Sequence, residues 1–333
     1  MSVPPGRGEA AERPGAHPHL AAAGTPWQGP VMRGGADNHR IIFDLPGGVR
    51  VTASDDPVSP VLARFFAGYD RAFVLPDERE ELAGFEACLA INATHRHAFG
   101  RTHSELVAVF EDEGGTLLGG ANFLATAIAR GPALPPAAIA LNYVYVEEAA
   151  RGRGMLRLIL GAVRRLALVA LALDPDSPAP AIFIEQNDPL RLTPEEYAAD
   201  TAHSGTDQID RLAIWARVGT RIVDFPYVQP ALSADQAADD GLIYAAVDYP
   251  GDAVDAGLLH DHLESFFAIS VRKGESEPPG GVAAAQVTAL AARGAPVALL
   301  PMELALAWLR GGRSTGGFDS FRTLAAAASG EEK

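Results

Sequence analysis

Between Ala137 and about Leu173 the chain sets a dense strand, a glycine turn and a long helix in immediate succession. Ile139, Leu141, Val144 and Val146, with Tyr143 and Tyr145 among them, have the β-branched and aromatic content of a central strand. Glu147-Glu148-Ala149-Ala150-Arg151-Gly152-Arg153-Gly154 follows, and a helix is expected from Met155. The start of a helix directs unpaired backbone N–H groups outward, and its dipole favours negative charge there. Gly152 and Gly154 let the backbone approach a ligand with no Cβ in the way. Arg151 and Arg153 add positive charge. The unit is built as a cradle for a diphosphate. It is not a P-loop, because no Lys-Ser/Thr follows, and the three-glycine spacing of a dinucleotide fingerprint is missing. A glycine turn with no ligand is the plain alternative.

The surrounding pattern is alternately strand and helix. Ile41, Phe43 and Leu45 alternate up to Pro46-Gly47-Gly48, and Val49 and Val51 resume, which predicts a hairpin. Pro57 to Phe73 carries one apolar helical face, and Pro76-Asp77 restarts a helix with Asp77 as N-cap. Glu105–Phe110 and Thr116–Ile128 read as a second hairpin, with a bulge expected at Gly119-Gly120. Ala181–Glu185 is a short apolar strand. Residues 188–206 are a polar insertion, Asp207–Val218 is a helix, and strands are expected over Arg221–Val228 and Leu242–Val247. Gly257–Ile269 reads as an amphipathic helix. Residues 1–38 have no sustained period and are expected to be a disordered tail.

Val146-Glu-Glu-Ala-Ala-Arg151-Gly-Arg-Gly154-Met-Leu resembles motif A of the GNAT superfamily, Arg/Gln-x-x-Gly-x-Gly/Ala behind an apolar strand. Leu156 stands where the motif has Gly or Ala. Ile182-Phe-Ile-Glu185-Gln-Asn187 is similar to the family's fifth strand, and Ile214-Trp-Ala-Arg-Val-Gly219 to its apolar-Tyr-x-x-x-Gly segment, with Trp215 in the tyrosine's place. The resemblance implies a mixed, mainly antiparallel α/β sheet of GNAT type flanked by helices. It divides the chain into the tail, an acyl-CoA-binding domain over 39–250 and a helical C-terminal extension over 251–333. It implies acetyl-CoA or another acyl-CoA as co-substrate. The pantetheine arm would pair with backbone at Val144, Tyr145 and Val146. The diphosphate would rest on Arg151, Gly152, Arg153, Gly154 and Met155, with Asn187 as a further contact. It also implies acyl transfer to a primary amine by direct attack on the thioester.

A base must free the amine lone pair. Glu185 is the first candidate, because burial at the end of an apolar strand raises a carboxyl's pKa. A loop-bonded structural carboxylate is its bland counterpart. Tyr227 is a candidate acid for the leaving thiolate, with Tyr143 and Tyr145 behind it; each also reads as a packing aromatic. The arginines Arg157, Arg164 and Arg165 read as a solvated helix face.

With a net charge of −15, the chain is poorly suited to nucleic acid or an anionic membrane. Cys88 is its only cysteine, in an apolar stretch, and is expected to be a buried structural thiol. No apolar run spans a bilayer, the start has no signal-peptide pattern, and the expected location is the cytoplasm. His17/His19 and His260/His262 do not make metal sites, and no metal is expected. The expected partner is a small-molecule amine or a lysine side chain, and the extension would cover the acceptor cleft or form a homodimer contact. A non-catalytic acyl-CoA-binding module of the same fold is the alternative.

Overall fold

The computed structural model describes residues 32–33, 39–74, 79–231, 236–275 and 281–331. Most of the tail read over 1–38, its two histidines and Asp77 therefore lie outside the described residues. Strand β1 (Met32–Arg33) leads into the hairpin β2 (Arg40–Leu45) and β3 (Val49–Ser54). Gly47 and Gly48 turn it at φ +76° and +73°, where a side chain would strain. Helix α1 (Pro60–Ala72) starts on Ser59, whose hydroxyl accepts from the Val61 N–H, with Pro60 in the first turn. Helix α2 (Leu82–Ala90) and the single turn α3 (Asn92–His95) precede three antiparallel strands, β4 (His103–Glu111), β5 (Leu117–Ala127) and β6 (Ala137–Val146).

The glycine turn then feeds α4 (Met155–Ala170), followed by β7 (Ala181–Asn187), α5 (Pro194–Ser204), α6 (Gln208–Arg217), β8 (Thr220–Val223) and β9 (Leu242–Val247). The last part holds β10 (Ala253–Val254), α7 (Ala256–Phe266) running on into a π-helical turn (Phe267–Val271), α8 (Val282–Ala291), β11 (Val297–Pro301), α9 (Glu303–Arg310) and α10 (Phe321–Glu331).

All described strands form one sheet in the order β1-β2-β3-β4-β5-β6-β7-β9-β8-β11-β10. Only β6 and β7 pair in parallel. The architecture is thus the mixed, mainly antiparallel sheet flanked by helices that was expected. Side chains alternate between two covered faces. Leu106, Ala108, Phe110, Ile139 and Ile182 meet α4, α6, α9 and α10 on one side. Val107 and Val109 meet α1 and α2 on the other, where Phe183 and Ala246 meet α7. Each fully buried large apolar side chain contributes about 1.5–3 kcal/mol, so a sheet covered on both faces is well supplied.

Several expectations change. The extension is not purely helical: β11 pairs with β8 and lengthens the sheet, and β10 pairs with β11. Helix α7 is buried nearly all round rather than amphipathic, with Leu258, Leu259, Leu263 and Phe266 in the core. The insertion holds a helix, α5, begun by a reciprocal capping box between Thr193 and Glu196. Strand β8 stops at Val223, where the chain turns and the Phe225 N–H donates back to the Val223 carbonyl at 2.8 Å. Of the α4 arginines Arg157 is exposed, as expected, whereas Arg164 and Arg165 are not on a solvated face. Arg164 is mostly buried and donates to the carbonyls of Pro180 (3.2 Å) and Val247 (2.9 Å). Arg165 lies 5.2 Å from the centre of the Phe43 ring, and Arg157 donates to the Arg217 carbonyl.

Candidate active site

The parallel pairing of β6 and β7 is short. Ala138, Ile139 and Ala140 face Ala181, Ile182 and Phe183, and beyond Ala140 the two strands part. From Leu141 onward the edge of β6 toward β7 has no partner strand, so its backbone groups are open to a ligand. A bulge accompanies the parting. Against β5, Phe123 faces Leu141 and Asn122 faces Tyr143, which leaves Asn142 as the extra residue. The bulge puts two successive residues on one face: Asn142 bonds Asn122, and Tyr143 packs on Tyr69. The bulge expected in the β4–β5 hairpin falls beside Gly119: Phe110 faces Gly119 and Glu111 faces Leu117, which leaves Leu118 as the extra residue. A Cβ on Gly119 would come within 2.6 Å of the Tyr145 carbonyl oxygen, and one on Gly120 within 2.6 Å of the Tyr145 hydroxyl. Those glycines seat Tyr145, whose hydroxyl donates to the Phe65 carbonyl at 2.9 Å.

A single cleft of about 1680 Å³ runs through this opening. At one end stands the start of α4. Gly152 and Gly154 have φ +74° and +76°, and Gly154 is the N-cap with no side chain to satisfy the first N–H groups. Arg151, Gly152, Gly154 and Met155 line the cleft there, and so does Leu156; Arg153 is on the exposed turn outside the wall. Val144, Tyr145 and Val146 line it along β6, and Asn187 lines it at the end of β7. Trp215 on α6 closes one wall and is almost wholly buried.

On the far side stands Glu185, half-buried and in the cleft wall. The Tyr227 hydroxyl donates to its Oε1, and the Gln229 amide reaches Oε1 at 3.1 Å and Oε2 at 3.0 Å. Burial raises its carboxyl to about 7, against the pull of those hydrogen bonds. Tyr227 is buried behind it, stacked 4.3 Å from Tyr244, and does not line the cleft. Burial and the Glu185 charge hold its phenol far above the ordinary range.

A second carboxylate on the same sheet face is absent from the sequence reading. Glu105 on β4 is fully buried, and burial raises its carboxyl to about 7. Its Oε1 accepts from Asn122 (2.6 Å) and Asn142 (3.2 Å), and its Oε2 from Ser270 (3.1 Å). The one available signal was a glutamate inside the apolar run Leu106–Phe110's own strand. Asn122 and Asn142 are amides set among apolar strand residues and in need of partners, and both find one in Glu105.

Cys88 is buried, lines the cleft, and donates to the Ser270 carbonyl at 3.8 Å; burial pushes its thiol far up, so it stays protonated. Among the described residues no group of three or more His, Cys, Asp and Glu could hold a metal ion. No helix among them is long and apolar enough to cross a membrane.

No protein-family model matches the sequence, and neither does any curated protein. Similar solved structures exist. One is a protein ascribed to the GnaT acetyltransferase family from Bordetella pertussis, 13% identical, covering 62% of this chain and 98% of that one, TM-score 0.33. Another is a chimera of the Vibrio cholerae spermidine N-acetyltransferase SpeG with hSSAT, 11% identical, covering 60% and 95%, TM-score 0.31. A third is a protein ascribed to the acetyltransferases from Acinetobacter baylyi, 13% identical, covering 61% and 94%, TM-score 0.31.

Proposed function

We propose that the protein is an acyl-CoA-dependent N-acyltransferase acting on a primary amine. One observation carries this: a single cleft joins an uncapped, glycine-led helix start to a half-buried carboxylate through the place where β6 and β7 part. The helix start and Arg151 suit a diphosphate, and the open β6 edge at Val144–Val146 suits the amides of a pantetheine arm. Acyl-CoA would supply an activated thioester carbonyl near Asn142. Backbone N–H groups at the bulge would polarise it.

Glu185 then acts as base, accepting a proton from the incoming ammonium so that a lone pair can attack. A carboxyl held near 7 suits that task, since it is ionised and still able to take a proton at neutral pH. Tyr227 donates its one hydroxyl proton to Glu185 and stands back from the cleft. Its part is to hold the carboxylate, leaving the thiolate to depart without a tyrosine acid.

Calorimetric titration with acetyl-CoA, paired with thiol release in the presence of mixed primary amines, tests the reading. Binding with amine-dependent release is expected, and Glu185→Gln should lower release by about 10²- to 10⁴-fold with binding retained. Binding without any release would favour the non-catalytic module instead, and no binding would end both.

A further inference from the structure

Glu105 is a buried titratable group left idle by the mechanism above. It faces the side of the sheet covered by α1, α2 and α7, and its three side-chain partners Asn122, Asn142 and Ser270 all line the cleft. Ser270 belongs to the π-helical turn, a conformation concentrated at functional sites. Three residues on, Lys273 adopts φ +51°, a strained left-handed conformation for a non-glycine residue. A hydroxyl can accept a proton on one lone pair while passing on its own. Ser270 thus stands between the cleft and a buried carboxylate, with its proton already directed at Oε2.

The chemistry asks for such a relay. An alkylamine enters as R–NH3⁺ and leaves as an amide nitrogen with one hydrogen, so two protons depart from nitrogen. The first exposes the lone pair, and the second leaves the tetrahedral intermediate after attack. One proton ends on the thiolate sulfur and the other in water. Resting on the transferase reading, we propose that Glu185 takes one of these protons and that Ser270 relays the other to Glu105. In the relay an N–H bond breaks as an O–H bond forms on Ser270 Oγ, while the original Ser270 proton moves to Glu105 Oε2. Carboxylate becomes carboxylic acid, the nitrogen loses one positive charge, and Ser270 is regenerated.

The charged and titratable groups around Glu105 leave it free to titrate near neutrality. Cys88 from α2 is held as a thiol, and Glu80 and Lys273 at the mouth pair with each other at 2.6 Å. His103, two residues earlier on β4, is pulled down to about 4 by burial and the nearby Arg101 charge and is therefore neutral. The C-terminal extension accordingly supplies a catalytic hydroxyl.

The test begins with amine-dependent thiol release from acetyl-CoA, using a pool of butylamine, 1,4-diaminobutane and lysine amide, then a pH profile for the amine that turns over. With two carboxylates required in ionised form, the acid limb of log kcat/KM in wild-type protein should be one power of ten per pH unit steeper than in Glu105→Gln. The glutamine keeps an oxygen for the two asparagine amides, and its rate should fall by about 10- to 100-fold. Ser270→Ala should lose a similar factor, and the double variant should be no slower than either single one. A protonated-carboxyl infrared band that titrates near neutrality should be present in wild type and Ser270→Ala and missing in Glu105→Gln. CoA affinity and the unfolding midpoint at pH 5 should stay near wild type, which separates a chemical defect from a folding one. An unchanged acid limb in Glu105→Gln, or fully additive losses, overturns the relay alone. Absence of amine-dependent release by wild-type protein overturns the transferase reading and the relay with it.

Discussion

Burying Glu105 has a stability cost that can be measured without any substrate. Its carboxyl rises from 4.5 to about 7 because the folded chain removes it from water. Between those two values the native state binds more protons than the unfolded state, so stability falls as pH rises through that window. At about 1.4 kcal/mol per pH unit, the ionised form costs about 3 kcal/mol once the pH is above 7. Glu105→Gln keeps the shape and most of the hydrogen bonds and has no charge to bury. The variant should therefore match wild type at pH 4 and exceed it by about 3 kcal/mol at pH 8. Urea unfolding followed by the fluorescence of buried Trp215, repeated at half-unit pH steps, gives the comparison directly. The contribution of Glu185 is common to both proteins and cancels. A gap between the two proteins that stays constant from pH 4 to pH 8 would refute the reasoning, since it would mean that Glu105 ionises alike in both states.

Other perturbations follow from the same geometry. Gly154→Val should weaken acetyl-CoA binding at least tenfold in calorimetry and destabilise the fold by about 1–2 kcal/mol, because φ is +76° there. Gly120→Ala should cost about 1–3 kcal/mol in urea unfolding, as the added methyl meets Tyr145. Tyr145→Phe should cost only about 1 kcal/mol and leave CoA affinity intact, having lost one bond to the Phe65 carbonyl. Arg164→Met should lower stability by about 1–3 kcal/mol in urea unfolding by orphaning the carbonyls of Pro180 and Val247.

What the sequence made legible was local. Gly152 and Gly154 could be read because a left-handed turn before a helix leaves few residue choices, and Glu185 because the strand before it is short and apolar. Thr193 and Glu196 were also readable as a capping box, but Pro194 and the polar run hid the helix they begin. Arg164 of α4 misled because a helical wheel gives direction and not what stands there; β-strand ends with spare carbonyls occupy the space beside it. The bulge at Asn142 and the covering of Glu105 were illegible for a different reason. A bulge is a one-residue slip in pairing, and no composition marks it. A glutamate in an alternating strand looks solvent-facing unless one knows that residue 270 will cover it. Both depend on contacts between residues far apart in sequence, as Ser270 and Glu105 are by 165 positions.

That same separation bears on how the chain comes to be folded. Lys273 meets Glu80 across 193 positions, and the Phe321 N–H meets Asp188 across 133. Pairings of such length close large loops, and proteins dominated by them fold slowly. During synthesis the strands from β2 to β6 emerge long before α7, so Glu105 stays hydrated on an uncovered sheet until the π-helical turn arrives to seal it. Dehydration of that carboxylate is therefore a late event, and an acidic medium should make the sealing step easier than a basic one.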